Sequence, residues 1–163
     1  MQETRIATLQ RMPIFGGIRA DVLEFALEAA AVVQRPAGEF FFRENDKAQS
    51  MFVLEQGEAE VLKLWETQQY LLGRLHQGDC FGEMALMDLF PRSASVRATQ
   101  ACTAIELSTT TFFQIYEKDL EQFALIQMNI GREVSRRLRI ADERLFRAKI
   151  EALAVQTDWH VLT

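Results

Sequence analysis

Apolar residues recur every third or fourth position near both ends of the chain, and in short runs broken by turn residues between them. Val22, Leu23, Phe25, Ala26, Leu27 and Ala30 predict an amphipathic helix over residues 19–31. Residues 4–12 read as a shorter helix that Pro13 ends, with a Gly16-Gly17 turn after it. From residue 32 to 107 the pattern changes to short strands: 32–33, 40–42, 51–54, 59–64, 70–75, 77–81, 96–98 and 103–107. Pro36-Ala37-Gly38, Gln56-Gly57-Glu58 and Gln77-Gly78-Asp79 punctuate them, and residues 65–69 read as a hairpin turn. A very short apolar helix at 84–88 and a turn at Pro91 interrupt the series. Many closely spaced strands without crossover helices predict a mainly β fold, an antiparallel roll or sandwich with flanking helices.

The second helical part is longer. Residues 109–116 predict one helix, capped by Ser108 or Thr109. Beyond Glu117-Lys118-Asp119 a second pattern runs to about residue 157, with apolar positions at Phe123, Ile126, Ile130, Val134, Leu138, Ala141, Leu145, Ala148, Ala152 and Val155. Steps of three and four average close to the heptad period, which argues for pairing between chains. A single helix lying on the roll of its own chain is the alternative. A length of ~50 Å, at 1.5 Å per residue, exceeds the face of a small roll. A homodimer through this helix is therefore expected.

The densest chemistry lies between Phe81 and Ala98, F-G-E-M-A-L-M-D-L-F-P-R-S-A-S-V-R-A. Gly82 lets the backbone pass close to a ligand. The N–H groups of Met84 to Leu86 at the start of the short helix suit an anion. Arg92 and Ser93 add a positive fork and a hydroxyl. Glu83 would repel phosphate, so its natural task is to accept a hydrogen bond from a sugar hydroxyl. A phosphate clamp beside a hydroxyl acceptor points to a nucleotide.

This run resembles the phosphate cassette of the cyclic nucleotide-binding domain family, F-G-E-x-A-L followed after a short gap by R-[STA]-A. The resemblance implies an antiparallel β-roll, or double-stranded jelly roll, with N-terminal helices and a long C-terminal helix. It assigns Glu83 to the ribose 2′-hydroxyl, Arg92 to the cyclic phosphate, and Gly82, Ala85 and Ser93 to phosphate contacts. By register with the family, Val61, Leu72 and Leu75 face the base, although they read equally well as core. The organisation it implies is a helical segment at 1–31, a roll at 32–108, C-terminal helices at 109–157 and a tail at 158–163. Glu44-Asn45-Asp46 departs from the glycine usual in that turn, and asparagine tolerates the left-handed conformation next best.

Within the family, residues 136–143 resemble the bacterial catabolite activators, where this helix covers the base. The resemblance places Arg137 near Glu83 and lets Asp142 accept from an adenine amino group, whereas Ala141 cannot. Ser93 beside Arg92 resembles adenine-preferring members, so cAMP is favoured over cGMP as regulatory ligand. The catabolite activators continue into a helix-turn-helix domain. Residues 146–163 are too few for one, so direct DNA binding is not expected, and a separate, unidentified effector protein is.

Charge and composition narrow the alternatives. A net charge of −5 speaks against general nucleic-acid binding. Residues 132–149 carry seven Lys or Arg against Glu133, Asp142 and Glu143, a net of +4 that leaves −9 elsewhere. This stretch reads as a solvated basic face. Cys80 and Cys102 read as buried reduced thiols, consistent with a cytoplasmic protein. The only two histidines, His76 and His160, are far apart, so neither a metal centre nor a catalytic constellation is expected. No apolar run is long enough to span a membrane. The remaining readings are a ligand-free dimerisation or scaffold module of the same fold, and a regulatory piece of a larger kinase, channel or transcription factor.

Overall fold

The computed structural model describes the backbone of residues 2–160 and the side chains of residues 5–154. Helices α1 (Gln2–Leu9) and α2 (Ala20–Ala29) open the chain, joined by a 3₁₀ turn at Pro13–Phe15. Eight strands follow: β1 (Ala31–Arg35), β2 (Phe40–Phe42), β3 (Ser50–Gln56), β4 (Ala59–Trp65), β5 (Gln68–Leu75), β6 (Cys80–Phe81), β7 (Ser95–Ala98) and β8 (Cys102–Ser108). The short helix α3 (Met84–Asp88) lies between β6 and β7, and α4 (Thr109–Lys118) and α5 (Leu120–His160) end the chain. The chain divides inside α5 into two compact units, Met1–Ile130 and Gly131–Thr163.

The strands form two four-stranded antiparallel sheets, ordered β1-β8-β3-β6 and β2-β7-β4-β5. Their side chains meet in one core: Phe52, Leu54, Phe81, Cys102 and Ala104 from the first sheet, Phe41, Ala59, Leu75, Val96 and Ala98 from the second. Phe41, Phe52 and Phe81 are mutually in contact, with ring centroids 5.0 to 5.6 Å apart. Ring pairs at that spacing add to the transfer free energy of burial. Residues 50–54 of β3 are buried without alternation, because the strand is covered on both faces. Phe52 and Leu54 enter the aromatic core, while Met51 and Val53 are buried on the opposite face.

The helices of the first unit are tied to one another by packing and by specific polar bonds. Helix α2 packs on α1 and α4. Ser108 Oγ accepts from Thr111 N at 3.1 Å and caps α4. Asn129, buried on α5, donates through Nδ2 to the carbonyls of Ile14 (3.1 Å) and Gly16 (2.9 Å). Both cysteines are buried outside any disulfide, with Cys102 Sγ 3.1 Å from the Glu58 carbonyl. No helix among the described residues is long and apolar enough to cross a membrane.

Candidate ligand-binding site

Gly82 adopts φ +79° between β6 and α3, a conformation that L side chains disfavour. A Cβ there would come within 2.6 Å of Arg92 Nη1 and 3.2 Å of the Phe42 ring. The glycine is required because the Arg92 guanidinium lies against it. Arg92 is 4% exposed. Its Nη1 donates to the Gly82 carbonyl at 2.8 Å and its Nη2 to the Ser50 carbonyl at 2.7 Å. The flat face rests on Phe42, 4.0 Å from the ring centroid, with Phe52 at 5.8 Å.

Two features of this arginine stand out chemically. Its Nε is buried and meets no acceptor among the described residues, and no ion pair described there includes Arg92. Burial pushes its pKa down, and the carboxylates of Glu106, Asp46 and Glu83 act at longer range to push it back up. A guanidinium stays charged under these conditions. The result is a buried cation without a paired anion, an arrangement that costs free energy until an anion arrives.

The main chain of Arg92 is held as firmly as its side chain. Its N–H donates to the Asp46 carbonyl and its carbonyl accepts from Asn45 N, both at 2.9 Å. Asn45 adopts φ +70°, so the asparagine does take the left-handed conformation that glycine would supply. Asp46 Oδ2 accepts from Arg43 N at 2.8 Å and closes that turn.

Glu83 is 2% exposed and sits at the N-cap of α3, yet its side chain makes no capping bond. The Glu83 carbonyl accepts from Leu86 N at 3.0 Å and Met87 N at 3.2 Å. This corrects the expectation that the N–H groups of Met84 to Leu86 all face a ligand. The helix opens with a 3₁₀-type bond that takes the N–H of Leu86. Ala85 is buried beside Glu83, and Ser93 is exposed, with its carbonyl accepting from Lys63 Nζ at 2.7 Å.

An apolar hollow of about 660 Å³ adjoins Glu83, lined also by Leu86 and Met87 of α3, by Thr109, Phe112, Phe113 and Tyr116 of α4, and by Phe123, Gln127 and Ile130 of α5. Val61, Leu72 and Leu75 are not among its lining. Leu75 is in the aromatic core, Val61 packs against that core, and Leu72 is 50% exposed at a bulge in the β4–β5 pairing. Arg137 and Asp142 belong to the second unit. There Arg137 Nε donates to Glu133 Oε1 at 3.2 Å, one turn back on the same helix, and Asp142 is exposed. The structure therefore brings Gly82, Glu83, Ala85, Arg92 and Ser93 together. Among the described residues no cluster of three or more His, Cys, Asp or Glu could hold a metal.

Sequence reasoning missed Phe42, the Ser50 carbonyl and the residue 43–46 turn that together seat Arg92. The run Phe40-Phe41-Phe42 was a signal for a ring platform; a backbone carbonyl leaves none.

The cyclic nucleotide-binding domain model matches residues 32–119, more than half of the chain. The chain belongs to the cyclic nucleotide-binding domain family. It is 32% identical over 106 residues to the cAMP-dependent protein kinase regulatory subunit of Emericella nidulans, covering 65% of this chain and 25% of that protein. It is 30% identical over 125 residues to the cAMP-activated global transcriptional regulator CRP of Salmonella typhimurium, covering 76% and 58% respectively. Among solved structures, the catabolite activator protein of Thermus thermophilus superposes with a TM-score of 0.72 at 27% identity, covering 82% of this chain and 61% of that one. The chain thus spans a quarter to about three fifths of the length of these relatives. The first two are cAMP-dependent or cAMP-activated regulators by their descriptions, and the antiparallel β-roll of this chain is the family's fold.

Proposed function

We propose that this chain is a cyclic nucleotide sensor, with cAMP as its ligand, and that it regulates a separate protein rather than catalysing a reaction. The observation that carries the reading is Arg92, a buried guanidinium with no paired carboxylate among the described residues, bonded to the Gly82 carbonyl and near the buried carboxylate of Glu83. A cyclic phosphate would supply the missing negative charge, and each charge-assisted hydrogen bond formed there contributes roughly 1.5–3 kcal/mol. Glu83 would accept from the ribose 2′-hydroxyl, and Ala85 and Ser93 would complete the phosphate contacts. The preference for cAMP is supported by Ser93 next to Arg92 and by the descriptions of the relatives. Arg137 and Asp142 would close over the base, the differential contact that shifts the conformational ensemble.

A thermal-shift screen tests this. cAMP should raise Tm in a concentration-dependent way, and the rise should shrink in Arg137→Ala. No rise with either cAMP or cGMP would favour the second reading, a ligand-free module of the same fold. That reading has one observation on its side: two of the guanidinium nitrogens of Arg92 already donate to carbonyls of their own chain.

Output would run through α5. Leu138, Leu145, Ile150 and Leu153 are each more than half exposed along it, and an apolar seam of that length is buried by pairing with a second copy. Sedimentation equilibrium should give twice the monomer mass of 18.7 kDa, and Leu138→Glu/Leu145→Glu should give the monomer. A wild-type chain that stays monomeric at tens of micromolar would contradict the homodimer.

A further inference from the structure

The residue 92–95 segment is gripped from outside the cassette by a side chain of β4. Lys63 Nζ donates to the Ser93 carbonyl at 2.7 Å and lies 2.6 Å from Glu44 Oε1. The other carboxylate oxygen of Glu44 accepts from Leu64 N at 3.0 Å, and Glu44 N donates to Ser95 Oγ at 2.9 Å. Together with the two main-chain bonds between Arg92 and residues 45–46, these close a ring of contacts. It runs from the residue 43–46 turn through β4 to the turn that carries Arg92 and Ser93.

We infer that Lys63, itself held by Glu44, is a positioning residue that fixes the Arg92–Ser93 turn for binding of the nucleotide phosphate. This rests on the cyclic nucleotide reading and deepens it. Ammonium geometry suits the task, since three donors on one nitrogen can serve a carboxylate and a carbonyl at once. Fixing the Ser93 carbonyl sets the peptide plane that follows Arg92, and small displacements of a binding group are costly. An ordinary exposed Lys–Glu pair contributes little. This one differs because both partners also hold backbone groups, Lys63 the Ser93 carbonyl and Glu44 the Leu64 N–H. The Lys63 bond, followed by the Leu64 N–H, also holds the Glu44 carboxyl below its ordinary pKa, so Glu44 is a carboxylate at neutral pH.

Calorimetric titration with cAMP of wild type, Lys63→Met, Lys63→Arg, Glu44→Gln and Lys63→Met/Glu44→Gln separates positioning from simple charge. Each of Lys63→Met and Glu44→Gln should raise Kd about 10- to 100-fold, the size of one charge-assisted hydrogen bond, with stoichiometry unchanged. The double variant should lose no more than the worse single, and Lys63→Arg should recover most of the affinity. Long-range attraction predicts the opposite sign for Glu44→Gln, because removing a negative charge near an anion site tightens binding. Unchanged or tighter binding by Glu44→Gln, or a fall in stoichiometry at constant Kd, overturns the inference while leaving the nucleotide reading intact. Wild-type protein that takes up neither cAMP nor cGMP overturns both.

Discussion

The behaviour of the site depends on the contact between Gly82 and Arg92. The positive φ of Gly82 and the 2.6 Å approach of Nη1 to its would-be Cβ leave no room for even a methyl group. Gly82→Ala should therefore cost about 1–2 kcal/mol in urea denaturation from the left-handed backbone alone, and should also push the guanidinium off the Phe42 ring. Loss of stability with full nucleotide affinity would show that the contact matters only for folding. The closeness of Gly82 and Arg92 could be anticipated from the sequence because a glycine and an arginine at that spacing suit a shared anion site. What seats Arg92 could not. The Ser50 carbonyl lies 42 residues away, and any residue type could have carried it. Lys63 escaped notice for a related reason: a lysine at a hairpin looks like a solvated surface residue until the loop it reaches is known.

Among the elements, the helices were read closely and the strands less so. Helix α3 has the predicted bounds, and α4 starts at the predicted cap, since Ser108 meets the N–H of Thr111. Strand β7 begins at Ser95, one residue before the 96–98 expected from the sequence and three after Arg92. The N–H and carbonyl of Arg92 are taken by residues 45 and 46, so they cannot join a sheet ladder there. The junction of α4 and α5 carries a pH-dependent contribution. Asp119 Oδ1 accepts from Gln122 N at 3.0 Å, and Oδ2 lies 2.8 Å from Arg19 Nη2. The Gln122 N–H first, and Arg19 after it, hold the Asp119 carboxyl below its ordinary pKa. A depressed carboxyl pKa stabilises the fold above the unfolded value, near pH ~4, and that contribution is lost as pH falls through the folded value. Asp119→Asn should thus melt below wild type at pH 7, and the gap should narrow progressively as the pH falls below about 4. A gap of constant size across that range would contradict the assignment.

For the whole molecule, the β-roll was legible because turn residues divide residues 32–107 into short strands with no helix between most of them. The pairing order was not, because β1 pairs with β8 and β2 with β7 across most of the roll. Such partners are set by which faces the aromatic core can cover, not by any local pattern. The same wrapping brings Phe42, Ser50 and residues 45–46 to the cassette, so the roll seats a buried cation at a place where no carboxylate among the described residues pairs with it. Isothermal titration of cAMP into wild-type and Arg92→Ala protein tests this directly, with circular dichroism to show that both are folded. We predict saturable one-site binding by wild type and at least ~30-fold weaker binding by the variant, the lower end of what loss of one partner of a buried charge pair costs. Equal affinity of the two folded proteins would contradict the account.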